Sequence, residues 1–247
     1  MSDQNQTNVL AIDTCNNILT VALQAHGRRH YRQVVGLRHS VTLQPTIDEL
    51  MSEAGCFISD IDVFAATRGP GSYTGIRIGL TTITTLAYTQ AKKAIGISSL
   101  ELLVKNSEYH VESELQLPNF KDGDLALACI DARGDRLFAS FWQKNGYSWQ
   151  RLTEDRQFVD QQLNETSMGI QRQLLTPQSR LWLIGDGQEV AEKLLTSTDY
   201  FDIKLYPHTD LKADSLIDLA LDLTPEDYPA TANYCARTQA ERLKKQV

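Results

Sequence analysis

The chain has 247 residues, of which 42% are hydrophobic and 22% charged, and its formal net charge is −7. This composition is rich enough in apolar residues to build a core, and the length favours two lobes of ordinary size over intrinsic disorder. The negative charge argues against general nucleic-acid binding, which depends on clustered lysine and arginine side chains. We therefore expect any RNA contact to be local or shared with a partner.

The cysteines and the N-terminal residues bear on the cellular compartment. The four cysteines are Cys15, Cys56, Cys129 and Cys235. They form no Cys-x-x-Cys pair, which is typical of reduced structural thiols. The first residues are polar and contain no apolar segment of the signal-peptide type, and no apolar stretch is long enough to span a bilayer. We expect a cytosolic protein.

The first part of the chain predicts a strand hairpin followed by a helix. Val9–Asp13 is an apolar strand that ends at an acid, and Ile18–Leu23 follows as a second strand before a turn at Gly27. Apolar residues between positions 43 and 54 then recur at helical spacing, and this pattern stops at Gly55. Glycine directly after a helical pattern is a common end signal.

A glycine-rich loop joins the next strand to a second helix. Ile61–Thr67 is predicted to be a buried strand, and the run from Gly69 to Gly79 reads GPGSYTGIRIG. The helix begins within this run, so its backbone N–H groups could bind a phosphate or a carboxylate. The spacing matches neither a Walker loop nor a dinucleotide fingerprint, and a tight turn without any ligand remains an alternative.

Two side chains of this run are of special interest. Ser72 or Thr74 can cap the helix through its hydroxyl. Arg77 places a cation in the first helical turn, where it opposes the helix dipole unless a bound anion or a carboxylate compensates. The alternative is that Arg77 points into solvent.

The second half of the chain repeats this order of elements. Leu125–Ile130 is a strand followed by Asp131, and Arg136–Trp142 alternates as a second strand. Phe158–Leu175 covers the place of the helix, and the strand Leu181–Ile184 leads into the loop Gly185-Asp186-Gly187. Further helices are predicted at residues 213–223 and 238–245, and residues 109–124 are the predicted linker.

Two copies of one unit predict two similar α/β lobes, 1–108 and 109–247, with the last helix packing back on the first lobe. This is the arrangement of the actin, sugar-kinase and Hsp70-like superfamily, whose lobes face each other across a nucleotide cleft. The candidate anion or nucleotide residues are Asp13, Gly69, Gly71, Ser72, Asp131, Gly185 and Gly187. Alternatively, an aspartate at a strand end simply opens a turn.

Other features argue against independent catalysis. The loop after Asp13 reads Thr14-Cys15-Asn16-Asn17, and these side chains would crowd a nucleotide. The five histidines form no His-Glu-x-x-His pair, and His26 and His30, although spaced i and i+4, span the turn at Gly27 instead of sharing a helical face, so no metal site is predicted. A basic cluster of Arg28, Arg29, His30, Arg32, Arg38 and His39 is either solvated surface or a contact for RNA.

The run from Gly69 to Gly79 strongly resembles the signature of the bacterial TsaB (YeaZ) family. Leu10–Thr14, His39-Ser40 and Ile130–Arg133 also fit that family, and the tail around Pro229 matches loosely. The resemblance implies an actin-like fold and a role in adding the threonylcarbamoyl group to the adenosine next to the anticodon of tRNAs that read codons beginning with A.

The resemblance also implies that the chain is an accessory subunit without catalytic residues of its own. Its paralogue TsaD carries a metal site on a His-x-x-x-His segment after the same loop, helix and strand. In this chain the strand Ala94–Ile97 is followed by Ser98–Leu103, and serine and leucine stand in place of the histidines. Those side chains cannot hold iron or zinc. No intrinsic cofactor is expected, and ATP or ADP would bind only within a complex.

The resemblance implies a heterodimer with TsaD, a further partner in the ATPase TsaE, a homodimer when TsaD is absent, and tRNA contact only through the complex. The docking surface would lie on the helices that begin near Ser40 and Thr74. The candidate partner-binding residues are Leu43, Ile47, Thr74, Arg77, Ile78, Thr81, Thr82, Thr85 and Thr89. Alternatively, this is an ordinary solvated face.

Two other functions remain open from the sequence. The aspartates at the strand ends and the second glycine loop are also compatible with a self-sufficient phosphotransferase of the sugar-kinase type. A metallopeptidase has been suggested by analogy for this superfamily and would require a bound zinc or iron ion.

Overall fold

The structure is a computed structural model that describes residues 7–36, 38–109, 119–159, 162–174, 179–195, 201–207 and 213–235. The chain divides into two compact units. The first comprises Met1–Leu102 with Leu211–Asn233, and the second comprises Leu103–Asp210 with Tyr234–Val247. The predicted boundary after residue 108 is therefore too late, and the predicted C-terminal lobe wrongly includes residues 211–233.

The described residues form eleven strands and six helices. The strands are β1 (Val9–Asp13), β2 (Ile18–Ala25), β3 (Arg28–Val35), β4 (Val63–Gly69), β5 (Ala94–Ser98), β6 (Leu125–Asp131), β7 (Arg136–Asn145), β8 (Ser148–Arg151), β9 (Arg156–Val159), β10 (Ser179–Ile184) and β11 (Phe201–Leu205). The helices are α1 (His39–Ala54), α2 (Tyr73–Thr89), α3 (Ser99–Tyr109), α4 (Gln162–Leu174), α5 (Gln188–Leu194) and α6 (Ala213–Asp222), with a 3₁₀ turn at Ile58–Asp60.

The two units contain sheets of the same topology. The first sheet has the order β3-β2-β1-β4-β5, and the second has the order β8-β7-β6-β10-β11, with β9 also paired to β7. In the first sheet, β1 pairs antiparallel with β2 and parallel with β4, which precedes the glycine loop. In the second sheet, β6 likewise pairs antiparallel with β7 and parallel with β10. The duplication predicted from the sequence is confirmed.

The core of the first unit follows from two sequence patterns. All five residues of β1 are buried, as expected for a central strand with both faces covered. On α2, Ile76, Leu80, Ile83 and Ala87 are buried at the helical spacing that predicted this element. Helix α1 ends where the sequence indicated, because Gly55 adopts a left-handed φ of 62° at its C-terminus.

Helix α6 completes the first unit although it comes late in the chain. Its Leu216, Ile217 and Ala220 pack in one buried cluster with Val9 of β1 and Ala22 of β2. The helix predicted at residues 213–223 is confirmed. The one predicted at 238–245 lies outside the described residues, as does most of the predicted linker.

Strand β3 was not predicted, because its residues were interpreted only as part of a basic cluster. Arg29 donates to Asp214 at 2.9 Å and to Asp218 at 2.5 Å, and Arg32 donates to Glu53 at 2.5 Å. His39 is buried rather than part of a surface patch. These local ion pairs account for much of the charge at this strand.

The predicted helix in the second half began too early. Phe158 lies in β9 as a buried residue, and α4 begins at Gln162. Phe158 packs in the core of the second unit with Leu127, Phe141 and Leu183. Its burial in a strand is decided by pairing with β7, a contact that helical periodicity cannot reveal.

A buried carboxylate ties the start of β6 to β10. Asp124 is 5% exposed and accepts hydrogen bonds from Arg180 at 2.8 and 2.5 Å and from the Trp182 indole at 3.0 Å. Its Oδ2 also accepts the Lys121 amide at 2.9 Å. A bidentate arginine pair of this kind is stronger than an exposed ion pair.

Replacing Asp124 with alanine is expected to destabilise the protein strongly. The Asp124→Ala change leaves the Arg180 guanidinium without its carboxylate, at a cost of about 3 kcal/mol. The matched control is Asp202→Ala, because Asp202 pairs with Lys204 but its side chain is 50% exposed. That change should alter stability by less than about 0.5 kcal/mol. Urea unfolding followed by tryptophan fluorescence measures both, and equal losses would contradict this account.

Candidate functional site

The glycine loop before α2 packs directly against the turn after β1. A Cβ atom at Gly75 would lie 1.9 Å from the Thr14 carbonyl oxygen, and one at Gly79 would lie 2.4 Å from Thr14 Oγ1. The Thr14 hydroxyl donates a hydrogen bond to the Gly75 carbonyl at 2.7 Å. Gly75 is therefore required because its backbone lies against the Thr14 backbone, and Gly79 because the Thr14 side chain lies against it.

The same turn also contacts the first residues of the glycine loop. Gly71 has φ of 156°, and a Cβ atom there would lie 2.5 Å from the Cys15 carbonyl oxygen. That oxygen also accepts the Ser72 amide at 2.7 Å. At Gly69 a Cβ atom would lie 2.5 Å from the Asn233 carbonyl oxygen. These contacts give Gly69 and Gly71 a packing role, and the anion role predicted for Gly69, Gly71 and Ser72 stays a prediction.

Ser72 caps the N-terminus of α2, as the sequence suggested. It is the N-cap residue of α2, and its hydroxyl accepts the Gly75 amide at 3.2 Å. Helix α2 is therefore started by its own loop and needs no ligand to satisfy that donor.

Asp13 lies at the end of β1 and is 2% exposed. Its carboxylate accepts the Thr67 hydroxyl at 2.5 Å, the Cys15 amide at 2.9 Å and the Asn16 side-chain amide at 2.9 Å. Burial raises the pKa of this carboxyl above its ordinary value, and the hydrogen bonds from Thr67 and Cys15 oppose that rise without cancelling it. Asp13 therefore joins the ends of β1 and β4 from inside the unit.

Cys15 extends this network and is unreactive. Its thiol donates to the Thr67 hydroxyl at 3.1 Å, and burial together with the Asp13 charge raises the pKa of the thiol to about 12. A thiol of this kind is neither a nucleophile nor a metal ligand at neutral pH. The prediction of free, buried cysteines is confirmed for Cys15, Cys56 and Cys129, whereas Cys235 is partly exposed.

The second unit uses its equivalent residues differently. Asp131 is exposed, and its carboxylate accepts the Arg133 amide at 2.7 Å, which is the turn-opening alternative considered above. At Gly185 a Cβ atom would lie 2.1 Å from the Cys129 carbonyl oxygen, and the Gly187 amide donates to that oxygen at 3.2 Å. As in the first unit, these glycines serve close packing, and their predicted anion role stays a prediction.

The residues of the predicted docking surface differ in exposure. Leu43 and Ile47 are only 2% and 1% exposed, so they belong to the core and are removed from the predicted surface. Their spacing on α1 already placed them on its apolar stripe, and that signal was overlooked. The exposed candidates on α2 are Thr74, Arg77, Thr81, Thr85 and Thr89, and Ile78 and Thr82 are half-buried.

Two aromatic residues extend the outer face of α2 and were missed. Tyr73 is 45% exposed and Tyr88 is 85% exposed. The Arg77 guanidinium lies 5.1 Å from the centre of the Tyr73 ring, so a cation–π contact helps to offset its position in the first helical turn. Val41 on α1 is 68% exposed and is a further apolar residue that the sequence reasoning did not include.

The described residues were also searched for metal and membrane features. Within those ranges no three or more His, Cys, Asp or Glu side chains lie close enough together to hold a metal ion. Of the segment Ser98–Leu103, all residues after Ser98 lie at the start of α3. None of the described helices is long and apolar enough to cross a bilayer.

Adding a single methyl group at Gly75 is expected to disrupt the loop contact. In the Gly75→Ala variant the new Cβ would overlap the Thr14 backbone, which cannot move without displacing β1, so we expect a loss on the order of 3 kcal/mol. The control is Gly169→Ala in the middle of α4, where a Cβ would have no neighbour within 4 Å. Alanine there should be neutral or stabilising by about 0.5 to 1 kcal/mol. Thermal and urea unfolding by circular dichroism compares them, and equal behaviour would refute the packing argument.

The raised pKa of Asp13 predicts a pH dependence. Because the folded state binds this proton more tightly than the unfolded state, the group stabilises the fold fully below about pH 4. That stability is lost as the pH rises through the raised pKa. The stability of the wild type minus that of Asp13→Asn should therefore decrease as the pH rises above about 4, as measured by urea unfolding. The exposed Asp131→Asn change is the control, and a difference at Asp13 that grows with pH would contradict the assignment.

Comparisons with known proteins agree with the signature at the glycine loop. The family model described as "TsaD: tRNA N6-adenosine threonylcarbamoyltransferase" matches residues 33–153. The chain is 33% identical over 141 residues to "tRNA threonylcarbamoyladenosine biosynthesis protein TsaB" of Bacillus subtilis, which covers 56% of each chain. It is 31% identical over 139 residues to the protein of that name from Haemophilus influenzae, covering 56% of this chain and 54% of that one. The matches thus span about half the length of these curated relatives.

A solved structure supports the fold over almost the whole chain. "YeaZ from Pseudomonas aeruginosa" superposes with a TM-score of 0.67 and 24% identity, covering 92% of this chain and 99% of that one. Together with the duplicated sheets, this confirms the predicted fold class, two similar α/β lobes of the actin-like superfamily. The glycine-loop signature, the similarity to the two TsaB proteins and this fold together support the TsaB (YeaZ) family for this chain.

Proposed function

We propose that this protein is a non-catalytic subunit of the machinery that adds the threonylcarbamoyl group to the adenosine next to the anticodon of tRNA. In this proposal it acts by docking to the catalytic paralogue TsaD. The names of its relatives from B. subtilis and H. influenzae support the general role in tRNA threonylcarbamoyladenosine biosynthesis.

The observation that carries the docking proposal is the outer face of α2. This helix has 17 residues, and Arg77 is its only charged one. Thr81 and Thr85 are exposed in the middle of the face, and Tyr73 and Tyr88 lie near its two ends. Small threonines allow a partner helix to approach closely, and exposed tyrosines are typical interface anchors. A stable interface of standard size would bury about 800 Å² of this surface.

The proposal assigns the chemistry to the partner. In the segment that corresponds to the proposed metal-binding segment of TsaD, this chain has Ser99 and Leu103 on α3. Neither side chain is a ligand for iron or zinc. The proposal also includes TsaE as a further partner, a homodimer through the same face when TsaD is absent, and tRNA contact only through the complex. Bound ATP or ADP is proposed only within that complex, and the location of the complex is proposed to be the cytoplasm.

The sugar-kinase alternative loses the features that motivated it. The glycine loops that would hold phosphates pack against the Cys15 and Cys129 carbonyl oxygens instead. Asp13 is buried among its own hydrogen-bond donors, and Asp131 opens a turn. No observation in the described residues favours phosphoryl transfer over docking.

A charge on the α2 face is expected to prevent docking without unfolding the protein. In the Thr85→Arg variant, a long cation replaces an exposed threonine in the middle of the face, and its burial in an interface would leave it unpaired. We expect binding to TsaD, measured by calorimetry or co-purification, to weaken at least about tenfold. The control is Gln173→Arg on α4, which adds the same charge at an exposed helical position of the second unit.

Activity provides the second readout of the same experiment. The isolated chain, supplied with threonylcarbamoyl-adenylate and tRNA, should form no modified tRNA, whereas addition of TsaD and TsaE should restore the reaction with wild type and with Gln173→Arg but not with Thr85→Arg. Modification by the isolated chain would refute the non-catalytic assignment. Unchanged TsaD binding by Thr85→Arg would refute the docking face.

A further inference from the structure

Arg68 occupies an irregular position at the carboxyl end of β4. In the pairing with β5, Thr67 lies opposite Ile97 and Gly69 lies opposite Ser98, so Arg68 is an extra residue in its strand. Its carbonyl oxygen accepts the Asn233 amide at 2.7 Å, which fixes the backbone at this bulge. Bulges redirect side chains, and they are frequent next to functional sites.

The neighbouring strand leaves space for the stem of this side chain. A Cβ atom at Gly96 of β5 would lie 3.0 Å from Arg68 Cδ and 2.6 Å from the Pro229 carbonyl oxygen. Glycine in a strand interior weakens the strand and often marks a close approach by another group. Here the close approach is by the Arg68 stem and by the segment around Pro229.

The head group of Arg68 has no acceptor among the described residues. Its Nε atom is buried and makes no hydrogen bond, and none of the carboxylates in the described ranges pairs with its guanidinium. By contrast, Arg29 is held by Asp214 and Asp218, and Arg180 by Asp124. A buried donor without an acceptor is costly, and in a native structure it calls for a specific cause such as a bound ion.

We propose that Arg68 binds a small oxyanion, the phosphoryl or carboxylate group of a ligand, at the carboxyl end of β4. A guanidinium presents two parallel donors that fit either group. The carboxyl ends of parallel strands are also where open α/β sheets bind ligands. This position differs from the glycine loop, which is filled by the Cys15 carbonyl, and the inference does not depend on docking to TsaD.

The test is thermal unfolding of the full chain in a buffer free of phosphate and carboxylates, with inorganic phosphate or acetate added up to about 50 mM. A ligand that binds only the folded state raises the melting temperature, and we expect a rise of about 2 °C or more with at least one of the two anions. A response to phosphate alone assigns a phosphoryl group, and a response to acetate alone assigns a carboxylate.

The variants are Arg68→Met and the control Arg28→Met, which removes an exposed arginine at the start of β3. The anion-dependent rise should vanish in Arg68→Met and persist in Arg28→Met. Without anions, Arg68→Met should be at least as stable as the wild type, because it removes an unpaired buried donor. The proposal is overturned if neither anion shifts the wild type, if Arg68→Met keeps the shift, or if Arg68→Met unfolds far below the wild type without any anion.

Discussion

The contact between Gly75 and Thr14 is the constraint on which the first unit depends. It brings the start of α2 against the turn after β1 so closely that no side chain fits between them. At this contact the Thr14 hydroxyl donates a hydrogen bond to the Gly75 carbonyl, and the Cys15 carbonyl accepts one from the Ser72 amide. As a consequence, the glycine-rich loop serves packing within the chain, and the outer face of α2 is held in one orientation relative to the sheet.

The two units show how a duplicated topology acquires different local chemistry. Both glycine loops pack against carbonyl oxygens near the end of the first strand of their sheet. The aspartates at those strand ends nevertheless differ, since Asp13 is buried and bonded to Thr67 whereas Asp131 is exposed and opens a turn. Neither environment presents a free carboxylate beside a free glycine loop, which is the arrangement that nucleotide chemistry would need.

Helix α2 has two faces with separate tasks. Ile76, Leu80 and Ile83 anchor its inner face in the core, and this burial fixes which residues face outward. The outer face contains exposed threonines and a single charged residue, Arg77. Because these side chains are not used in the core, they are available to a partner. In contrast, Arg29 and Arg32 of β3 are engaged with Asp214, Asp218 and Glu53, which reduces their availability for RNA.

The sequence by itself determined the elements whose signals are local. The apolar run of β1, the glycine that ends α1, the periodicity of α2 and the repetition of the hairpin all depend on neighbours within a few residues. Burial and partners are decided by contacts between distant segments. Arg29 meets Asp214 across 185 positions, Phe158 becomes a strand residue by pairing with β7, and the loop glycines face Thr14 and Cys15 instead of a ligand. Only the tertiary structure could settle these points, because periodicity predicts which face of an element is apolar but not which atoms will lie against it.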